Sequence, residues 1–597
     1  MAAPASPQTR DMLQTPPISP DISRDWGTPT RFAGMVGFLH PAAGEVGAVI
    51  VPHWGYEGLC FHPMTRALAA RLAQAGLPCL RFDPPGSGHS DDAAQEVDLL
   101  ALWTQAVLDA ATALRAQAGV RGVALIGFGL GAAVVARAAT AIEGLAGVAL
   151  LAPWLAGRRA LRELAVAGRL AADAIGVPAE AGAPEGGFAV AGFPMFPAHG
   201  AALSRIEMSA ATLAASPATL ILARPEQTGA CAALGDSLGA GRARLVAFEG
   251  YEKAAFDPSN FVLPEAAVAA VADWARALPA PPPAPRAPAS ATAPALRPFA
   301  DGFAEEALRF GPQGRLFGVL ATPESRPRAA ALLLNAGRNR CIGWARGDVA
   351  EARRLARAGV ATLRFDIAGV GDSAPESGDE PLYDARRAAD VIAALDLIEA
   401  RFGDVPVVLR GPCSGAFLGF TAAVRDARVK GAALINAQRY VWNPTEDFGT
   451  VMRQPVHSVE LAREARDPRQ IRRLLTGDIS LRSVLTRLTT TAARTAQARI
   501  GRMGLPLTSQ ARVVAQGRRG FEALAARGQA LKIIVSKGDR AIDELKLFFG
   551  DEASFARAHG ADALVRIEGA DHNLTAPPAR AAASDAFDAL IARVARD

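Results

Sequence analysis

The chain contains a short strand–corner–helix motif twice, and this motif constrains its fold more than any other feature. One copy is the pentapeptide Gly411–Gly415 (GPCSG), which follows an apolar run at 407–409 and opens an Ala-rich segment of helical composition. The second copy is Gly127–Gly131 (GFGLG). Glycines two residues before and after the corner let the backbone bend tightly and let the helix pack close to the strand. We therefore predict a strand that turns directly into a helix in each half, with Cys413 at one corner and Gly129 at the other.

The two corners belong to a longer internal repeat. Four landmarks of the first half recur in the second half at offsets of 282 to 284 residues. They are single glycines (Gly55 and Gly337), related motifs (82–90 and 365–373), the two pentapeptides, and apolar runs (147–151 and 431–435). Between the landmarks, short apolar runs alternate with amphipathic stretches, a pattern typical of βαβ units. The sequence predicts an α/β chain with two tandem repeats, each a mostly parallel, doubly wound sheet.

Composition divides the chain into segments. Residues 1–30 are rich in proline and lack the basic start and apolar core of a secretory signal, which predicts a disordered tail. Residues 279–298 form a Pro/Ala stretch typical of an extended linker. We expect two domains, 31–278 and 299–597, because one core does not grow to the length of this chain. Each domain carries a helical lid insertion, and the longer one, Arg-rich, runs from about 439 to 530 in the second domain.

The overall composition excludes several classes of protein. The 597 residues are 50% apolar and 21% charged with a net charge of +5, which is ordinary for a soluble protein. The longest apolar run is broken by Arg137 and falls short of the ~20 residues of a membrane span. Five scattered cysteines without a CxxC pair argue against a disulfide framework or a zinc site. We therefore expect a cytoplasmic protein with no metal, no other cofactor and no membrane span.

Three residues of the second repeat have the types and the order needed for nucleophilic acyl transfer. Such chemistry requires a nucleophile, a general base and an acid that orients the base. Cys413 occupies the corner where a nucleophile is exposed. His572 follows the last apolar run, and Asp539 follows the run before it, with Asp543 one helical turn on as an alternative acid. The sequence predicts a Cys413–His572–Asp539 triad.

The remaining candidates of the second repeat have other expected roles. His457 lies in the predicted lid, and His559 ends a helical stretch, so neither is the expected base. Backbone N–H groups of Ser414 and of the loop containing Ala336 and Gly337 are the expected oxyanion hole. The alternative for Cys413 itself is a buried, inert cysteine at a decayed corner.

The first repeat lacks two of the three groups. Gly129 stands at the nucleophile position, and Lys253 aligns with His572. Glu226 remains at the acid position, but no histidine occurs between His199 and His457. We expect the first repeat to be catalytically silent and to act as a structural or docking partner.

With these motifs, the chain resembles a tandem α/β-hydrolase of the serine-aminopeptidase-like kind encoded near bacterial exopolysaccharide or acyl-activating genes. The cysteine at the corner resembles that of dienelactone hydrolases, which argues against peptidase activity. The resemblance implies a hydrolase that acts on an ester or a thioester through the second repeat. Two alternatives stay open, an acyltransferase that uses the same triad and a non-catalytic scaffold made of two decayed hydrolase folds.

The predicted lid has a run of arginines without an acidic residue between Asp478 and Glu522. Arginine pairs well with phosphate and carboxylate groups, so Arg482, Arg487 and Arg494 are candidate binding residues. A small or carrier-linked acyl substrate is the expected partner, with an acidic one such as an acyl-CoA or a saccharide as an example. The alternative is a solvated helix surface. Nucleic acid is not expected, because the stretch lacks aromatic residues for base stacking.

Overall fold

A computed structural model describes residues 20–175, 178, 180–279, 295–376, 381–443, 496–503, 505 and 507–596 of the chain. The chain forms two compact units. The first unit comprises Met1–Glu380, Asp396–Asp404 and Thr575–Arg580. The second unit comprises Pro381–Leu395, Val405–Leu574 and Ala581–Asp597. The two units are described separately below.

The first repeat lies within the first unit and contains an eight-stranded sheet among its described residues. The eight strands of this sheet are β1 Thr28–Phe32, β2 Met35–His40, β3 Val46–Val51, β4 Cys79–Phe82, β5 Gly122–Phe128, β6 Leu145–Leu151, β9 Thr219–Ala223 and β10 Ala243–Ala247. Two further strands, β7 Phe188–Val190 and β8 Phe193–Met195, form a separate antiparallel hairpin. The order of the eight strands in the sheet is β1-β2-β4-β3-β5-β6-β9-β10. The β1–β2 and β2–β4 pairs are antiparallel and the others are parallel.

Helices cover both faces of this sheet. They are Pro20–Trp26, Gly55–Gln74, Leu99–Ala118, Leu130–Ala138, Gly157–Ile175, Pro197–Leu203, Thr228–Ser237, Tyr251–Phe256 and Glu265–Arg276. Successive residues of a strand point to opposite faces, so Val49 packs in one core with the helix Leu99–Ala118, and Ile50 packs in another with the helix Gly55–Gln74. The predicted doubly wound α/β arrangement is confirmed for this repeat.

The strands of the second repeat are divided between the units. The first unit holds β11 Leu296–Ala300, β12 Phe303–Phe310, β13 Leu316–Pro323, β14 Ala329–Leu333 and β15 Val360–Asp366. Their order is β11-β12-β13-β15-β14, with only the β14–β15 pair parallel. The second unit holds β16 Val407–Pro412, β17 Val429–Ile435, β18 Ala530–Ser536 and β19 Leu564–Ile567, all parallel to their neighbours in that order.

The helices of the second repeat follow the same alternation with strands. They are Gly347–Arg357, Ala388–Phe402, Ser414–Arg425, Ser509–Ala526, Ala541–Phe549, Glu552–His559 and Pro577–Val594. Because β16 to β19 are parallel, the loops that follow them start at the same edge of the sheet. The corner at Cys413 and the loops that carry Asp539 and His572 therefore begin along one edge of the second unit.

Part of the predicted disordered tail, residues 1–30, is structured. The helix Pro20–Trp26 and residues 28–30 of the first strand belong to it. Trp26 packs under the guanidinium of Arg66 at 3.7 Å, and its carbonyl accepts a hydrogen bond from Arg81, which holds this segment in place. Residues 1–19, most of the predicted linker (280–294) and most of the predicted lid (444–495) lie outside the described residues. The domain boundaries therefore stay a prediction.

The first unit extends past the predicted linker because buried ion pairs join residues of both repeats. Arg340 donates to both oxygens of Asp83, at 3.1 and 2.9 Å, and Arg81 lies 2.8 Å from the fully buried Asp372. Within the second repeat, Glu305 accepts from Arg353 at 2.7 Å and from Arg364 at 2.9 Å, and Arg353 also binds Asp92 of the first repeat at 3.1 Å. Burial acts to raise the pKa of the Glu305 carboxyl, but the two guanidinium groups lower it below its usual value. A buried charge that loses its partner is strongly destabilising, so these pairs hold the unit together.

We expect the substitution Glu305→Gln to destabilise the first unit, because it leaves Arg353 and Arg364 buried without their counter-charge. The thermal unfolding midpoint should fall by ~5 °C or more. Glu324→Gln, at an exposed glutamate of the same repeat, is the matched control and should leave the midpoint unchanged. Equal midpoints for the two variants would contradict the structural role of the buried pairs.

Candidate active site

The corner at Cys413 has the backbone of a tight strand-to-helix turn. Cys413 adopts φ 53° and ψ −114°, and its N–H donates to the carbonyl of Ile435 at 2.9 Å. A Cβ on Gly411 would stand 2.3 Å from the carbonyl oxygen of Gly415, so the helix approaches as closely as it does only because residue 411 has no side chain. A non-glycine residue at positive φ is strained, and such strain is concentrated at functional sites. Cys413 is half-buried, whereas the four other cysteines are buried.

His572 and Asp539 are in hydrogen-bond contact in the second unit. His572 Nδ1 lies 2.7 Å from Asp539 Oδ2. The other carboxylate oxygen of Asp539 accepts from the N–H of Ala541 at 2.9 Å and from Gln438 Nε2 at 3.2 Å. The carboxylate is thus fixed by backbone and side-chain donors and fixes the imidazole in turn. Of the two acids weighed from the sequence, Asp539 makes this contact, while Asp543 lies in the first turn of the helix Ala541–Phe549.

The imidazole of His572 favours its protonated form. Burial acts to lower the pKa of His572, but the hydrogen bond to Asp539, the hydrogen bond to Cys413 and the charges of both groups raise it to about 10. An imidazolium at this position would stabilise negative charge on the sulfur, and the thiolate is the nucleophilic form of cysteine. The arrangement can therefore activate a thiol and hold a proton next to it.

Asn436 links the end of strand β18 to the loop that carries His572. Sequence reasoning does not find this residue. Its side-chain N–H₂ donates to Ser536 Oγ at 2.9 Å and to the carbonyl of His572 at 2.8 Å, and its oxygen accepts from the N–H of Ser536 at 2.8 Å. Asn436 is fully buried, with φ 46°. The corresponding residue of the first repeat, at the same offset as the corners, is Ala152 with φ 47°. The sequence signal that could have identified Asn436 is the presence of a polar residue in the second repeat where the first repeat has an alanine.

Tyr383 is a second residue that sequence reasoning does not find. Its hydroxyl lies 3.9 Å from Cys413 Sγ, and its ring stacks on Trp442 at a centroid distance of 5.1 Å. Burial, and then the neighbouring Cys413, raise the pKa of Tyr383 well above its usual value, so the hydroxyl stays protonated. Tyr383 lies between the predicted elements, in a segment without periodicity.

A cavity of about 690 Å³ opens beside Tyr383 and Phe417 in the second unit. Aromatic side chains form much of its wall, among them Phe420, Tyr440 and Trp442. Arg386, Arg425 and Arg519 also line it and are exposed to solvent. Of the arginine-rich stretch in the sequence, Arg519 is the member that lines this cavity, whereas Arg482, Arg487 and Arg494 lie outside the described residues.

The other sequence candidates are placed as follows. Ser414 begins the helix Ser414–Arg425 next to Cys413 and is buried. Ala336 and Gly337 belong to the first unit, so their part in an oxyanion hole stays a prediction. His559 stacks on Phe555 at 4.9 Å in an aromatic cluster, and burial lowers its pKa. His457 lies outside the described residues.

The first repeat has the same backbone turn as the second, but it has no cysteine or histidine at the matching positions. Gly129 has φ 54° and ψ −111°, close to Cys413, and its N–H donates to Leu151 at 2.9 Å. Lys253 is exposed on the helix Tyr251–Phe256, and Glu226 pairs with Arg224 at 3.1 Å. The turn is retained without a side chain at its corner.

The described residues contain neither a metal-binding cluster nor a membrane-spanning helix. No group of three or more His, Cys, Asp or Glu in that part of the chain is arranged to hold a metal ion. No helix among the same residues has both the length and the apolar character required to cross a membrane.

A protein-family comparison matches the chain twice. The model described as serine aminopeptidase, S33, matches residues 58–177 and 326–493. The two segments fall in the first and second repeats and include both corners. The chain is therefore a tandem α/β-hydrolase protein, a hydrolase built from two copies of one fold. Asp539 and His572 lie outside the matched segments.

Several solved structures are similar to about half of the chain. An α/β serine hydrolase without a lid from Xanthomonas campestris has 16% identity over 49% of this chain and 96% of its own, with a TM-score of 0.27. An esterase from Pyrococcus furiosus has 10% identity over 49% and 92%, with a TM-score of 0.30. The α/β-hydrolase GrgF from a Penicillium species has 17% identity over 49% and 99%, with a TM-score of 0.31. None of the curated proteins compared with the chain matches it in sequence.

The raised pKa of His572 gives a test of the contact with Asp539. Histidine-selective NMR should show one imidazole that titrates near pH 10, assigned by its loss in His572→Gln. A histidine with a raised pKa stabilises the fold below its unfolded value of 6.5, and that stability is lost as the pH rises through about 10. Asp539→Asn removes the carboxylate, so the titration should move toward neutral pH and the loss of stability should shrink. Asp543→Asn is the matched control, and an equal effect of the two substitutions would contradict the assignment.

Proposed function

We propose that the protein hydrolyses an ester or a thioester at a Cys413–His572–Asp539 triad in its second repeat, while the first repeat is catalytically silent. The proposal narrows the general hydrolase assignment to a bond type and a nucleophile. It rests on the side chains around the second corner, because the family match alone covers many reactions.

The observation that carries the proposal is the contact of His572 with Asp539, together with the influence of Cys413 on the same imidazole. His572 Nδ1 lies 2.7 Å from Asp539 Oδ2, and Cys413 is among the groups that raise the pKa of His572. Since Asp539 takes Nδ1, the nitrogen left for the sulfur is Nε2. A nucleophile, a base and an orienting acid in one chain of contacts is the arrangement that acyl transfer requires.

The reaction proceeds in two steps. As the sulfur of Cys413 attacks the substrate carbonyl, the proton that the thiol has given up is held on His572, and the imidazolium passes that proton to the leaving alcohol or thiol. Water attacks the resulting acyl-cysteine, with His572 taking a proton from the water and delivering it to the departing sulfur. The products are a carboxylic acid, an alcohol or thiol, and the restored enzyme. Asp539 holds the imidazole in orientation throughout.

The cavity beside Tyr383 fits the substrate expected for such a site. Its aromatic wall suits an acyl chain, because buried apolar area drives the binding of such groups. The exposed guanidinium groups at the same cavity suit an anionic carrier, as in an acyl-CoA. Hydrolysis is favoured over transfer to another acceptor because the His572 side chain is 35% exposed, which leaves the base accessible to water.

Cys413→Ala should abolish turnover of short p-nitrophenyl esters and acyl-CoAs, because the sulfur of Cys413 carries the acyl group in the proposed reaction. We expect a fall of at least ~10³-fold for Cys413→Ala and for His572→Gln. Mass spectrometry of the unsubstituted protein after quenching should show one acyl adduct, located on Cys413. Adding alcohol or sugar acceptors and weighing the products separates hydrolysis from transfer.

The first repeat supplies matched controls for this experiment. Lys253→Ala and Glu226→Gln change the residues that align with His572 and Asp539, and both should leave turnover unchanged. A loss of activity in these variants would overturn the assignment of a silent repeat. Absence of turnover and of any adduct in the unsubstituted protein would favour the non-catalytic scaffold.

Chain-length selectivity tests the cavity as the acyl site. Thr421 lines the cavity and is half-buried. Thr421→Phe should lower kcat/KM for long acyl chains about 10-fold or more while sparing acetyl esters, because the added ring fills the space. Thr421→Val has a similar shape and should change neither value. Equal losses for short and long chains would place the acyl group elsewhere.

A further inference from the structure

We propose that the first repeat keeps a small-molecule binding site at its altered corner. The site would take a compact, uncharged molecule with an aromatic or branched apolar body and one hydroxyl group. This inference is independent of the reaction proposed for Cys413, since every residue of the site belongs to the first unit. It gives the silent repeat a role that its sequence does not predict.

The site is a cavity of about 320 Å³ in the first unit. Its volume is at the lower end of the range of ligand pockets, and such pockets are mostly apolar with a few polar groups. The aromatic part of the wall consists of Phe38, Trp54, Phe82, Trp103, Phe193 and Phe196. A cavity of this size and lining suits a single ring or a branched chain rather than an extended molecule.

His53 stands at the corner of this cavity in place of a nucleophile. A Cβ on Gly129 would lie 2.0 Å from His53 Nδ1, so the imidazole occupies the space that a corner side chain would need. The His53 side chain is 1% exposed, and its ring packs against Phe61 at 5.0 Å and Phe128 at 6.1 Å. The glycine at the corner therefore makes room for a histidine from another element.

Nε2 of His53 lacks a hydrogen-bond partner among the described residues. Nδ1 faces Glu57 Oε2 at 3.2 Å, so Glu57 accounts for one of the two nitrogens only. Buried polar atoms of side chains nearly always have a hydrogen-bond partner, so a buried nitrogen without one requires an explanation. A ligand hydroxyl in the cavity that His53 lines would supply the missing partner.

Glu57 indicates which nitrogen of His53 is the acceptor. Burial acts to raise the pKa of Glu57, but His53, a hydrogen bond from Tyr251 and the charge of Arg224 lower it below its usual value. The carboxylate is thus ionised beside Nδ1, which favours the proton on that nitrogen and leaves Nε2 as an acceptor. A hydroxyl group of a ligand could therefore donate a hydrogen bond to Nε2 of His53.

The charged side chains at the cavity are already paired within the chain, which argues against a charged ligand. Arg340 binds Asp83, and Arg346 binds Asp92 at 2.7 Å together with the carbonyl of Gly88. The other two histidines of the wall are paired as well, one with Asp372 and one with a backbone carbonyl. An anion would have to displace these partners, whereas a neutral hydroxyl needs only His53.

Three small probes and the full-length chain test the proposal. Cys413→Ala protein removes the proposed chemistry of the second repeat, and ligand-detected NMR titrations measure the affinities of benzyl alcohol, ethylbenzene and benzoate. Benzyl alcohol should bind about 5-fold more tightly than ethylbenzene, the difference expected for one hydrogen bond between neutral groups. Benzoate should bind more weakly than the alcohol.

Two substitutions assign the binding to this cavity. His53→Phe keeps a ring but removes the nitrogens, so the preference for the alcohol should disappear while ethylbenzene still binds. Ala93→Phe fills the cavity from a half-exposed position and should weaken both probes about 10-fold. Lys253→Ala is the control on the same repeat and should alter neither affinity.

Several results would overturn the proposal. They are no binding of benzyl alcohol at millimolar concentration, equal affinities for the alcohol and ethylbenzene, tighter binding of benzoate, and unchanged binding in Ala93→Phe. Because Ala93 is half-exposed, its variant keeps the test decisive even if His53→Phe does not fold.

Discussion

The tight turn from strand to helix is the constraint on which the candidate site depends. At Cys413 the backbone takes a positive φ that a side chain normally avoids, and Gly411 allows the helix to approach the strand closely enough to impose it. The turn places the side chain of Cys413 at the end of the parallel strand β16. The loops that carry Asp539 and His572 start at the ends of the next parallel strands, so residues far apart in sequence converge there. The arrangement of the candidate site is thus a consequence of strand direction combined with one strained residue.

The two repeats form the same turn, but they carry different side chains on it. Gly129 and Cys413 have nearly the same φ and ψ, and each N–H binds the end of the neighbouring strand. The fold therefore maintains the corner without any nucleophile on it. The first repeat differs in its side chains, since Ala152 stands where Asn436 binds Ser536 and the carbonyl of His572 in the second repeat. The backbone of the corner is thus the same in both repeats, while the polar groups around it differ.

The sequence predicts those parts of the protein that are set by local pattern. Alternating apolar runs and Gly-rich corners give the order of the elements, and the position of His572 and Asp539 after successive strands gives their pairing. Asn436 and Tyr383 have no such pattern, because their roles arise from which neighbours the folded chain brings to them. The buried Arg340 and Arg364 are also unpredictable, since an arginine is usually exposed and only tertiary structure supplies its counter-charge. The helix before the first strand escapes prediction because Trp26 becomes ordered by contacts made far along the chain.

The buried ion pairs have a consequence for the history of the duplicated chain. A fragment that began at the second repeat would carry Arg340 and Arg309 without Asp83 and without the carbonyls of Trp26 and Gly27 that receive their hydrogen bonds. Removing one partner of a buried charge is strongly destabilising. Deletion of the first repeat would therefore weaken the second. Mutual dependence of this kind preserves a duplication whatever activity each copy carries, and it leaves either copy free to acquire another use.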